Sequence, residues 1–227
     1  MITEILLRLP VKSLLRFMGI CKSWLSLISD PQFGVSHHDL AASPSHRLLL
    51  TSYVSDFFRS FDIDAALFVP LHLSLPAPRN QFKYAPAEIV GSCRGLVLLC
   101  CTASPDLILW NPSIGVHKRL SGFEDRLTLR FLYGFGYDVS TDDYLVILIQ
   151  CRYDCKPEIQ VYSFKTNSRN TICIDVPYDQ MGSYYGAGYL FNGTLHWLVR
   201  LQDIDAPPFI IAFDLIQRSL SEIPLLN

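Results

Sequence analysis

Apolar residues recur with helical spacing along the start of the chain, and cluster in strand-length runs along the rest of it. Ile2, Ile5, Leu6 and Leu9 follow the i, i+3, i+4, i+7 pattern of one helical stripe. Pro10 ends that helix, having no N–H to continue the ladder. Leu14, Leu15 and Met18 mark a short second helix, with Gly19 permitting a change of direction. Cys21, Trp24, Leu25 and Ile28 form a third stripe, closed by Asp30 and Pro31. The pattern thus predicts three short helices, a piece too small to cover its own apolar faces. A surplus of apolar side chains is expected to face outward.

From about Arg47 the pattern changes to short β-branched and aromatic runs separated by turn residues. These runs repeat. LILWN, IQVYS and IIAFD set Trp110, Tyr162 and Phe213 apart by 52 and then 51 positions, and Leu96, Leu145 and Leu195 lie 49 and then 50 apart. A period near fifty with several strands per unit is the signature of a β-propeller array. With a fainter first repeat the units fall at roughly 47 to 76, 91 to 125, 131 to 178 and 186 to 226. The aromatic series is expected to fill space between blades, and His196 with Trp197 to form a core pair. The expected organisation is a helical segment 1–35, a linker 36–46 and an all-β repeat domain 47–227.

Composition narrows the partners. Half of the residues are apolar and 18% are charged, a well-packed globular balance. A net charge of -2 gives no general attraction for nucleic acid or anionic membranes, and the apolar runs are far shorter than a membrane span. The seven cysteines lack paired CxxC spacing, and the N-terminal residues lack a secretory core, which points to reduced thiols in the cytosol or nucleus. Cys151 and Cys155 have no second ligand pair, and the six histidines show no ligand spacing, so neither a metal nor a cofactor is expected. No nucleophile elbow or phosphate loop is present, which argues against an enzyme built on a propeller.

The helical segment ITEILLRLPVKSLLRFMGICKSW, continued by DPQF, resembles the plant F-box. The phrases GSCRGLVLL, LWNPSIG, YGFGYDVSTDDYLV, VYSFKTNS, FNGTLHWL and FDLIQRSLSEIPL occur in the order found in the F-box-associated, kelch-like domain of the family that includes the S-locus F-box proteins. The resemblance implies a three-helix F-box followed by an all-β propeller-like domain that is incomplete at its C-terminus. It implies a non-catalytic subunit of a Skp-cullin-F-box ubiquitin ligase, which binds the Skp adaptor, and through it cullin, by the F-box, and an unknown target protein by the β domain. The motif departs from the family pattern at Met18 and Gly19, and lacks the Leu-Pro that the family places before it.

With the surplus of apolar surface, the resemblance marks Ile5, Leu6, Leu9, Pro10 and Leu14 as adaptor-binding. Ile20, Cys21, Trp24 and Leu25 complete that set. Target contacts are expected in loops, foremost at Tyr178, Met181, Tyr184 and Tyr185, where aromatics and a Met sit among turn formers. The segments 152–154 and 202–205 are weaker candidates. A stand-alone propeller binding module and a truncated product without function are the alternatives.

Overall fold

A computed structural model describes residues 2–40, 47–52, 55–62, 73–74, 87–101, 106–112, 116–121, 123, 130–151, 158–173, 181–182, 186–201 and 207–225. A few short helices precede a chain that is otherwise mostly β-sheet. Two compact units form: Met1–Tyr84 with Asn111–Val116, and Ala85–Trp110 with His117–Asn227.

The first unit holds α1 (Ile2–Leu7), α2 (Val11–Phe17), α3 (Lys22–Ile28) and α4 (Pro31–Leu40). Four helices stand where three are expected. Pro31, expected to stop α3, instead starts α4: its fixed φ suits a first helical position, where no N–H is needed. Asp30 caps that start, its Oδ1 accepting from Gln32 N–H at 2.8 Å. The helix continues into the stretch expected as a linker. None of the described helices is long and apolar enough to cross a membrane. The unit also holds a sheet of β1 (Arg47–Ser52), β2 (Ser55–Asp62) and β3 (Leu73–Ser74), in that order, with Leu48 opposite Phe61.

The second unit holds three more sheets. One runs in sequence order through β4 (Ala87–Cys93), β5 (Leu96–Cys101), β6 (Leu107–Trp110) and β7 (His117–Leu120). The next joins β8 (Arg130–Asp138), β9 (Asp143–Cys151), β10 (Glu158–Ser163) and β11 (Ser168–Cys173). The last contains β12 (Met181–Gly182), β14 (Tyr189–Phe191), β15 (Thr194–Leu201), β16 (Phe209–Asp214) and β17 (Ser219–Ile223). The short strand β13 (Gly186–Ala187) pairs in parallel with β8 and forms the fifth, edge strand of that sheet.

The unbroken apolar runs in β5 and β9 follow from burial on both faces. Leu98 and Cys100 pack against Val146, Leu148 and Phe135 in one seam. Leu145, Ile147 and Ile149 point from the other face of β9 to Leu195, Trp197, Ile211 and Phe213 in the next. Glycines set the closeness of these seams. A Cβ on Gly91 would lie 2.8 Å from Phe135 Cβ, one on Gly134 2.7 Å from the Trp197 ring, and one on Gly136 2.5 Å from a Leu215 methyl. Trp197 is pinned across its seam by Nε1–H donating to the Tyr133 carbonyl at 2.8 Å.

Pairing bears on two expectations. Trp110 and Phe213 are buried opposite Val97 and Leu195, and Tyr162, opposite Val146, packs partly buried against the seam beside Phe164. Trp197 is core, but His196 points to the opposite face and is partly exposed, because successive strand residues alternate.

The turns share one chemistry. β4–β5 and β14–β15 turn through Arg94-Gly95 and Asn192-Gly193, both residues of each pair at positive φ, as a two-residue hairpin needs. The four-residue turns end on Asp142, Asn167 and Arg218, all left-handed. The residue before each takes up turn N–H groups: Asp138 from Ser140 at 2.9 Å, Ser163 from Thr166 at 3.1 Å, and Asp214 from Ile216 at 2.8 Å. Asp138, 1% exposed, also accepts from Arg218 of the last sheet at 2.7 Å. Burial alone would raise its pKa; the hydrogen bonds from Ser140 and Thr141 and the Arg218 charge outweigh this and hold it below the ordinary value.

Gly91→Ala is expected to destabilise the second unit by about 1–3 kcal/mol in urea unfolding, and by more than Gly136→Ala. Phe135 Cβ is fixed to its backbone, whereas the Leu215 methyl can turn aside.

Candidate functional site

The helical unit has a small core. Leu6, Leu7, Leu14 and Phe33 are buried together, with Leu9, Phe17, Trp24, Leu27 and Ile28 partly buried against them. Phe17 and Trp24 meet edge to face, ring centroids 5.2 Å apart, tying α2 to α3. His37 Nε2–H donates to the Leu9 carbonyl at 2.8 Å and so ties α4 to the end of α1. The α2–α3 corner is built from backbone bonds, Gly19 N–H to Arg16 and Ile20 N–H to Phe17, and the Leu25 N–H bonds to Cys21 as α3 begins.

This packing divides the nine expected adaptor residues. Leu6 and Leu14 belong to the internal core, and Leu9 and Trp24 are partly buried on it. Ile5, Pro10, Ile20, Cys21 and Leu25 are exposed, Ile5 by 57% and Ile20 by 59%. Ile2 and Leu15 join them as exposed apolar side chains that the expected set does not name. Ile2 lies three residues before Ile5 and so shares its stripe. Leu15 follows buried Leu14 directly, and adjacent helical residues diverge by about 100°. Such a surface offers apolar area and shape together with the exposed Cys21 thiol.

In the second unit Tyr178, Tyr184 and Tyr185 lie outside the described residues, as do 152–154 and 202–205. Met181 is placed as backbone, paired with Leu201 at the start of β12. The described strand ends that flank these segments, Cys151, Glu158 and Cys173 in one sheet, gather at one edge, away from the 139–142 turn.

Around that turn Arg94 lies over the Tyr137 ring, 3.9 Å from its centroid, and the Tyr137 hydroxyl donates to the Asp142 carboxylate. The bond to Asp142 is the chief cause raising the Tyr137 pKa, with burial and the Asp142 charge adding to it. Burial pushes Tyr144 up to about 12. It pushes the Cys93 thiol up to about 11 against the pull of Arg94. A thiol held protonated at neutral pH is a poor nucleophile and a poor metal ligand.

A family model for the F-box domain matches residues 1–36, and one for the F-box associated beta propeller domain matches residues 51–226. The chain belongs to the F-box proteins that carry this propeller domain. An Arabidopsis thaliana F-box/kelch-repeat protein is 32% identical over 241 residues, covering 99% of this chain and 64% of the relative. The F-box protein CPR1 from the same plant is 31% identical over 241 residues, covering 96% and 55%. Another of its F-box proteins is 30% identical over 239 residues, covering 95% and 58%. This F-box chain therefore spans 55% to 64% of the length of these relatives.

Within the F-box, Leu14→Ala is expected to lower stability by about 2–5 kcal/mol, whereas Ile5→Ser should stay within about 0.5 kcal/mol in the same denaturant titration.

The raised pKa values make a second expectation. Folded values of about 11 for Cys93 and about 12 for Tyr144 exceed the ordinary 9.0 and 10.0, so folding favours their neutral forms. That stabilisation is full below about pH 9 and fades as pH rises through the folded values. The melting midpoint should fall above about pH 9, and peptide mapping after brief alkylation at neutral pH should find exposed Cys21 modified and Cys93 spared until the protein is unfolded.

Proposed function

We propose that this chain is the substrate-recognition subunit of a Skp-cullin-F-box ubiquitin ligase. The F-box docks on the Skp adaptor, the adaptor connects it to cullin, and the β domain holds a target protein for ubiquitination in the cytosol or nucleus. The chain itself carries none of the transfer chemistry. The observation that supports this reading best is the division within the helical unit. Leu6, Leu7, Leu14 and Phe33 satisfy its internal packing and leave Ile2, Ile5, Leu15, Ile20 and Leu25 facing water. Burial of a large apolar side chain is worth about 1.5–3 kcal/mol, so a partner that covers several of them has ample driving force for docking. In this reading the target meets the loop edge, at Tyr178, Met181, Tyr184 and Tyr185.

Co-expression with the Skp adaptor followed by size-exclusion chromatography tests the adaptor role. A stable complex at micromolar concentration is expected; separate elution of the two folded proteins would overturn the reading. Ile5→Asp with Leu25→Asp should abolish co-elution and leave the circular dichroism unchanged, because both positions are exposed.

A further inference from the structure

The β14–β15 hairpin turns on the one asparagine in the sequence that precedes a glycine, Asn192-Gly193. Both residues are exposed, with φ of 48° and 75°, the left-handed pair that a two-residue turn requires. Phe191 opposite Thr194 closes the turn, so the Gly193 N–H stands outside the strand ladder. The Asn192 carboxamide has no hydrogen-bond partner among the described residues. A Cβ added at Gly193 would meet open space, so neither a side chain nor a neighbour shields the nitrogen beside that carboxamide.

Among the described residues Asn111, Asn167 and Asn170 offer the comparison. Asn111 precedes Pro112, whose ring nitrogen carries no proton to give up. Asn167 shares the left-handed backbone at φ 51°, but its Oδ1 accepts from the Tyr162 hydroxyl at 2.7 Å and from Lys118 Nζ at 3.5 Å, and a serine follows it. Asn170 is held within β11 opposite Val161, and the branched side chain of Thr171 crowds the next N–H. A free carboxamide beside an unshielded main-chain N–H occurs at Asn192.

We propose that Asn192-Gly193 is a site of spontaneous deamidation and main-chain isomerisation. The Gly193 nitrogen gives its proton to solvent base and bonds to Asn192 Cγ. The Cγ–Nδ2 bond breaks, Nδ2 takes a proton from water, and ammonia leaves behind a succinimide ring. Water then opens the ring. Cleavage between Cγ and the Gly193 nitrogen gives aspartate; cleavage between that nitrogen and the Asn192 main-chain carbonyl carbon gives isoaspartate, with the chain rerouted through Cβ. No oxidant or reductant enters.

The extra main-chain carbon of isoaspartate does not fit a turn of two left-handed residues. The Gly193 carbonyl accepts the Leu215 N–H at 3.1 Å, and the fully buried Leu215 side chain presses on Gly136 of the neighbouring sheet. A change at an exposed hairpin tip is thereby passed to the seam between sheets.

Peptide mapping by mass spectrometry tests this on the full chain, incubated folded at physiological temperature and at neutral and mildly alkaline pH. Tryptic cleavage after Arg169 and Arg200 leaves Asn170 and Asn192 on one peptide, and fragmentation assigns each. Asn192 should gain the mass difference between an acid and its amide, and sooner at the higher pH, because the attacking nitrogen must lose its proton. Part of the product should accept methyl groups from an isoaspartate-specific carboxyl methyltransferase. Asn111, Asn167 and Asn170 should stay intact over the same interval, and the melting midpoint of the aged protein should fall. Asn192→Gly keeps the turn in its Gly-Gly form and should lose both the methyl acceptance and the fall. An Asn192 still amidated after an incubation that converts it in the guanidinium-unfolded chain would overturn the proposal. So would conversion of Asn167 or Asn170 at the same pace, or an equal fall in the melting midpoint of Asn192→Gly.

Discussion

The close approach of sheet to sheet at Gly91, Gly134 and Gly136 sets the geometry of the second unit. A missing Cβ lets Phe135 press on one first strand and the Trp197 ring on the next. Trp197 then uses its indole N–H to bond a carbonyl of the neighbouring sheet, so the same residue supplies bulk and a directional tie. Large rings facing bare backbone allow dense packing without strain, and density is what these interiors depend on. Once the seams are set, the alternation along β9 fixes which apolar residues go to which neighbour, and the turns have only to reverse the chain.

Much of this was legible before any coordinates. Runs such as YLVILI announce strands buried on both faces, and the fifty-residue recurrence announces repeated sheets. The finer register was not. Tyr162 sits at the spacing of Trp110 and Phe213, yet it is only partly buried and shares the seam with Phe164, where the other two are fully buried. Counting along the chain absorbs loop length into the period, whereas hydrogen-bond pairing does not. Likewise Asp30-Pro31 reads equally as the end of one helix and the beginning of another. Only the carboxylate oxygen on the Gln32 N–H decides between them.

The F-box surface shows the same limit on a smaller scale. Periodicity identifies stripes, and a stripe in a four-helix unit has both a buried and an open edge. Leu14 and Leu15 are neighbours of one residue type with opposite fates, one in the core and one in water. Identity alone separates apolar from polar; it takes the packing of Phe33 and α4 against α1 and α2 to separate inside from outside. The fourth helix, absent from the sequence reading, is what made that division hard to foresee.

Arg218 shows how one position can be asked for two incompatible things. Its backbone is left-handed, φ 55°, a state that disfavours a side chain by roughly 1–2 kcal/mol. Its guanidinium nevertheless spans two sheets to reach the nearly inaccessible Asp138 carboxylate. Glycine would relax the turn and strand the carboxylate, while lysine would keep the charge but lose the planar fork and keep the torsional conflict. Glycine would thus ease the backbone at the cost of the ion pair and lysine would ease neither, so the arginine holds a position whose torsion and whose charge partner pull in different directions.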